Sequence, residues 1–107
     1  MEIQINTANN LEGREARIQW LEETVRDRLA RFEDRLTRVE LHVGDVNGER
    51  SNGGDIRCQI EARPAGHGPV SVSDQSDTID QATGGALGKL TTALERTFGK
   101  TTTRKGH

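Results

Sequence analysis

The sequence predicts an α+β domain of order β-α-β-β-β-α, a four-stranded sheet with two helices packed on one face. Three observations predict it. Four segments alternate apolar with polar residues: Ile3 and Ile5; Val39, Leu41 and Val43; Ile56, Cys58, Ile60 and Ala62; Val70 and Val72. Two further segments repeat their apolar residues at steps of three and four. The last three strands are joined by connections short enough for antiparallel hairpins, whereas a helix separates the first two. One apolar face per strand puts both helices on the same side of the sheet and leaves the other side wet.

The first strand, Glu2-Ile3-Gln4-Ile5-Asn6, is broken by Asn9-Asn10. From about Gly13, Ile18, Leu21, Val25, Leu29 and Phe32 form one helical stripe, with Trp20 at its edge. The other faces interleave Arg17, Arg28, Arg31 and Arg35 with Glu22, Asp27 and Glu33. Val39 to Val43 is the second strand, and residues 44–55 are rich in turn formers. Residues 56–63 are the clearest strand, residues 64–69 a turn, and Val70 and Val72 mark the fourth strand. Asp74 to Thr78 supplies N-cap candidates for the second helix, Ser76 and Asp77 favoured. That helix carries Ile79, Ala82, Ala86, Leu90, Leu94 and Phe98 on one stripe. Gly84, Gly85 and Gly88 lie inside it at roughly 1 kcal/mol each against Ala. A close backbone contact is therefore expected at Gly84 or Gly88. From Gly99 the apolar period is lost, so residues 1–98 are read as the single domain and 99–107 as a flexible basic tail. The expected core is Ile3, Ile5, Val25, Leu29, Leu41, Ile56, Ile60, Leu90 and Leu94.

Composition narrows the function classes. The chain has 107 residues, 31% hydrophobic, with one Trp, two Phe and no Tyr. No stretch approaches the ~20 apolar residues of a membrane span, and the start resembles no signal peptide, so a cytoplasmic protein is expected. One cysteine excludes an internal disulfide framework and a multi-cysteine zinc site. Residues 1–88 carry 10 Lys/Arg and 16 Asp/Glu, whereas 89–107 carry five basic residues against Glu95 alone. An acidic body with a basic end argues against bulk DNA packaging and leaves room for a local anionic partner.

Catalytic patterns are missing. Gly84-Gly85-Ala86-Leu87-Gly88-Lys89-Leu90 fails as a phosphate loop: the glycines are one residue too close, and Leu90 stands where Ser or Thr would hold magnesium. His42, His67 and His107 have no partners at metal-ligand spacing, and Cys58 lies in an apolar alternation between Ile56 and Ile60. No enzyme, cofactor, metal site or small-molecule substrate is expected. Two stripes of bases stand out instead: Arg28, Arg31 and Arg35 on the first helix, and Lys89, Arg96 and Lys100 on the second. Side by side, the stripes would make a basic surface about 20–30 Å across that meets phosphates rather than bases. Ordinary salt bridges with Asp27, Glu33 and Glu95 are the competing explanation. Two other readings stay open: a protein-interaction surface on the polar sheet face (Arg57, Gln59, Glu61, Arg63) or a sheet edge, and an anionic-substrate site at Arg63 and His67.

The opening Ile3-Gln4-Ile5-Asn6-Thr7 through Asn9-Asn10, the segment Arg28-Leu29-Ala30-Arg31-Phe32-Glu33, and Lys89-Leu90 with Leu94 and Arg96 resemble one family. It is the ribosome hibernation promoting factor and ribosome-associated translation inhibitor family, also labelled sigma-factor modulation proteins. The resemblance covers about residues 1–98 in the family's element order. It implies a non-enzymatic protein that binds the small ribosomal subunit in the channel of messenger and transfer RNA. Arg28, Arg31, Lys89 and Arg96 would then contact ribosomal RNA phosphate, with Arg35 and Lys100 as extensions. The sequence departs from the family where Gly88 precedes Lys89 and where no aromatic residue stands between Phe32 and Phe98. Its length resembles that of the family's short form, so the further dimerising domain of the long form is not expected.

Overall fold

The computed structural model describes residues 1–7, 14–45 and 56–105, the side chains of Arg14 and of residues 100–105 excepted. Its elements are β1 (Glu2–Thr7), α1 (Arg14–Arg28), the 3₁₀ helix η1 (Ala30–Arg35), β2 (Leu36–Asp45), β3 (Ile56–Pro64), β4 (Val70–Ser76) and α2 (Ile79–Lys105). The strands lie in the order β1-β2-β3-β4. β1 runs parallel to β2, Ile3 opposite Val39 and Ile5 opposite Leu41, because α1 crosses between them. The β2–β3 and β3–β4 pairs are antiparallel. This is the α+β fold that the alternation requires. His107 and most of the connection at 44–55 lie outside the described residues.

Val25, Leu29, Leu41, Ile60, Leu90 and Leu94 are fully buried, while Ile3, Ile5 and Ile56 pack half-buried at the margin. The cause is position: Ile3 and Ile5 lie on an edge strand. Leu21, Phe32, Leu36, Val39, Val43, Cys58, Ala62, Ala82, Ala86, Leu87 and Phe98 complete the core. Small residues at 62, 82 and 86 let α2 sit close to the sheet without aromatic bulk.

Four boundaries differ from the sequence expectation. The first helix ends at Arg28 and tightens into η1, with Leu29 at φ −106° and ψ 16° between them. Leu29 and Phe32, three residues apart and both buried, suit a three-residue turn, and Phe32 N–H donates to the Leu29 carbonyl at 2.9 Å. β2 begins at Leu36, before Val39. A register shift between Leu36 and Arg38 keeps both Leu36 and Val39 buried. The α2 cap is Thr78, not Ser76 or Asp77: its Oγ1 accepts from Gln81 N–H at 3.1 Å, while Ser76 still belongs to β4. Finally, α2 continues to Lys105, seven residues past Phe98 and through the segment expected as a tail. Thr and Lys at 100–103 carry no apolar signal, yet none of them breaks a helix already nucleated.

The glycine expectation fails in a specific way. A Cβ at Gly84 or Gly88 would meet nothing within 4 Å, so neither is a close contact. Gly85 is the tight position: its Cβ would stand 1.8 Å from Asp74 Oδ2 and 2.7 Å from Cγ.

Candidate nucleic-acid interface

Asp80, Gly84, Gly88 and Glu95 share one stripe of α2, at i, i+4, i+8 and i+15. Arg17 pairs with Asp80 at 3.6 Å, and Arg31 pairs with Glu95. Two ion pairs about fourteen residues apart, in the same chain sense, set α1 and η1 parallel to α2 along this flank. Gly85, Lys89 and Arg96, at i, i+4 and i+11, form the next stripe round. Lys89 Nζ lies 3.2 Å from Asp74 Oδ1 and donates to the Ser73 carbonyl at 2.9 Å, so this flank leans over β4. The two basic stripes therefore lie on opposite flanks of α2 instead of merging into one face. Lys100 continues the stripe of Lys89 and Arg96 by sequence; its side chain is outside the described residues.

The six cations differ in what they already hold. Arg28, Arg31, Arg35, Lys89 and Arg96 are all exposed. Lys89 ties the β4 edge to α2, and Arg31 spends its charge on Glu95. Arg28, Arg35 and Arg96 pair with no carboxylate among the described residues. Arg35 instead stacks on a ring, its Cζ 3.8 Å from the Phe98 centroid; Arg31 does the same over Phe32 at 4.7 Å. These stacks hold the guanidinium planes without consuming their N–H donors. The basic residues do not have the α1 and η1 side to themselves: Glu15, Glu22, Glu23, Asp27, Glu33 and Asp34 balance the arginines there. What it offers an anion is a few uncommitted arginines.

The open sheet face is organised differently. Arg38 reaches Glu40 (2.7 Å), Glu2 (3.5 Å) and Gln4, and Arg63 reaches Glu61 at 3.9 Å. The hydrogen bond from Arg38 holds the Glu40 carboxyl below the usual carboxylate range against the opposing effect of desolvation, and raises Arg38 in turn. Three carboxylates (Glu2, Glu40, Glu61) balance three arginines (Arg38, Arg57, Arg63), and His42 stands exposed beside Glu40. A face that neutralises itself attracts a polyanion weakly.

Cys58 is fully buried beneath α2, and burial pushes its thiol up to about 11, which makes it a poor nucleophile. The glycine run from Gly84 lies inside α2, as its apolar period requires. The sequence does not disclose the surroundings of three residues. Asp74, a cap candidate by sequence, faces α2 because it lies opposite Cys58, on the core side of β4. Phe98 reads as core alone, and His67 as a turn residue that could hold an anion with Arg63; His67 in fact sits edge-on to Phe98 at 5.6 Å. The signal for Asp74 was the strand alternation continued two residues past Val72.

Residues 4–102 match the family described as Sigma 54 modulation protein / S30EA ribosomal protein. The chain belongs to this family. The S30EA assignment covers nearly the whole domain and agrees with the resemblance carried by the first strand and the two basic helices. Among solved structures, a ribosomal subunit interface protein from Coxiella burnetii shares the fold, with a TM-score of 0.68 over 92% of this chain and 99% of that one. The two are 13% identical, so that likeness concerns the fold. A search of curated proteins gives no match. S30EA proteins are a ribosome-associated family, and no helix among the described residues is long and apolar enough to cross a membrane.

Proposed function

We propose that this chain is a hibernation-type translation inhibitor that binds RNA of the small ribosomal subunit through exposed arginines of its helix layer and performs no chemistry on it. The observation that carries the reading is the contrast in charge pairing: among the described residues Arg28, Arg35 and Arg96 hold no carboxylate on the helix side, whereas two of the three sheet-face arginines, Arg38 and Arg63, are paired and only Arg57 is not. In an S30EA domain, uncommitted cations on one layer are what a phosphate backbone needs. Neutralising phosphates releases condensed counterions, and that release drives binding. RNA would meet α2 from both flanks, Arg28 and Arg35 on one side and Arg96, extended by Lys100, on the other. Arg31 and Lys89 would join at the cost of their pairs with Glu95 and Asp74.

Sedimentation of the purified chain with isolated small and large subunits tests this. The expected result is pelleting with the small subunit, weakening between about 50 and 200 mM salt with a log–log slope near −2 to −3 for three phosphate contacts. Pelleting with neither subunit contradicts it and favours a protein partner at the sheet face or edge.

A further inference from the structure

The geometry points to a second kind of contact at one corner of the domain: we propose that Arg35 and His67, both seated on the Phe98 ring, form a clamp for an RNA backbone phosphate. The clamp rests on the RNA-binding reading above and adds to it a residue from the β3–β4 turn.

Three elements build the corner. Phe98, buried on α2, is the platform. Arg35 of η1 covers its face at 3.8 Å, and the His67 ring meets it at 5.6 Å with an interplanar angle of 80°. Arg35 and His67 therefore contact the same ring. The turn that carries His67 is fixed on both sides. Ala65 N–H donates to the Arg35 carbonyl at 2.9 Å, and His67 N–H donates to the Pro64 carbonyl at 3.1 Å. Gly66 between them has φ +81°, a conformation that Gly adopts without steric cost.

The surrounding charges single out Arg35. Phe32 packs 5.8 Å from Phe98 and carries Arg31, but Arg31 is engaged by Glu95. Arg35 has the same stacking and no carboxylate partner among the described residues. A stacked guanidinium is already ordered, so it loses less rotamer freedom on binding, and its in-plane donors match two oxygens of one phosphate. His67 is exposed and supplies an N–H donor at the same ring. Arg35, His67 and the core leave Phe98 no open face, which favours a phosphate over a stacked base.

The test is affinity for isolated small subunits as a function of salt. Arg35→Lys keeps the charge but loses the planar fork, and His67→Ala removes the second donor. Each should weaken binding about 5- to 10-fold, equivalent to about 1–1.4 kcal/mol. The double variant should lose less than the product, because both hold one phosphate. Arg35→Gln should make the salt slope shallower by about 0.7–0.9, a change that a purely structural role would not produce. Phe98→Leu should weaken binding like Arg35→Lys although every charge remains. Both Arg35→Lys and His67→Ala should melt with the wild type. Wild-type affinity and slope in all of these variants would overturn the clamp and leave the RNA-binding reading standing. Failure of the unmodified chain to bind the small subunit would overturn both.

Discussion

The two flanks of α2 use the same residue types to opposite ends. Toward α1, Gly84 and Gly88 border open space and Glu95 is held by Arg31. Toward β4, Gly85 admits the Asp74 carboxylate, which Lys89 then neutralises while also covering an edge carbonyl. One flank is loose and accessible; the other is a latch between helix and sheet edge. A basic residue on a helix therefore has no fixed meaning. Its neighbour on the next element decides whether it is available to a ligand, and the same test separates Arg28, Arg35 and Arg96 of the helix layer from Arg38 and Arg63 of the sheet face, which are paired.

The comparison presumes that α1 and α2 are fixed on one core. Leu29, fully buried where α1 passes into η1, is the strongest check on that premise. Leu29→Ala should cost about 2–5 kcal/mol in denaturant unfolding; a cost near zero would detach the first helix from the core and remove the flank it defines.

Gly85→Ala comes next. The added methyl cannot coexist with Asp74 as placed, so Asp74 must swing away and release Lys89. A loss of about 1–3 kcal/mol is expected, despite the better helix propensity of Ala. In an Asp74→Ala background the same substitution should become neutral or stabilising. If Gly85→Ala stabilises the unmodified chain, the latch does not exist. The smallest effect is on the other flank: Gly88→Ala, with nothing within 4 Å, should raise stability by about 0.5–1 kcal/mol. Destabilisation there would mean that α1 and α2 approach more closely than the open flank allows.

Sequence periodicity made most of the fold legible because each element has one apolar face. Ile3, Val39, Ile60 and Leu90 announce their sides without tertiary knowledge. Three features were not legible, each for a physical reason. The change from α1 to η1 leaves Leu29 and Phe32 at a spacing that either helix type accommodates. The α2 extension to Lys105 has no apolar repeat to mark it. The identity of the close glycine depends on which flank meets β4, and three glycines within five residues point in different directions. Candidate cations were legible as stripes, but their availability was not. The Lys89–Asp74 and Arg31–Glu95 pairs join residues 15 and 64 positions apart. Nor does spacing disclose that Arg35 and His67 share Phe98, which only the packing of η1, the turn and α2 brings about.

The central claim is that uncommitted arginines of the helix layer, and not the charges of the sheet face, carry binding to the small subunit. Its most direct test compares two double reversals of equal charge: Arg28→Glu with Arg96→Glu, and Arg57→Glu with Arg63→Glu. All four side chains are exposed, so neither pair should unfold the domain. The helix pair should weaken small-subunit affinity by about 100-fold or more and flatten the salt slope by roughly 1.4–1.8, two phosphate contacts' worth. The sheet pair should change affinity by about threefold or less, through net charge alone. Loss of binding in the sheet pair with retention in the helix pair would contradict the account.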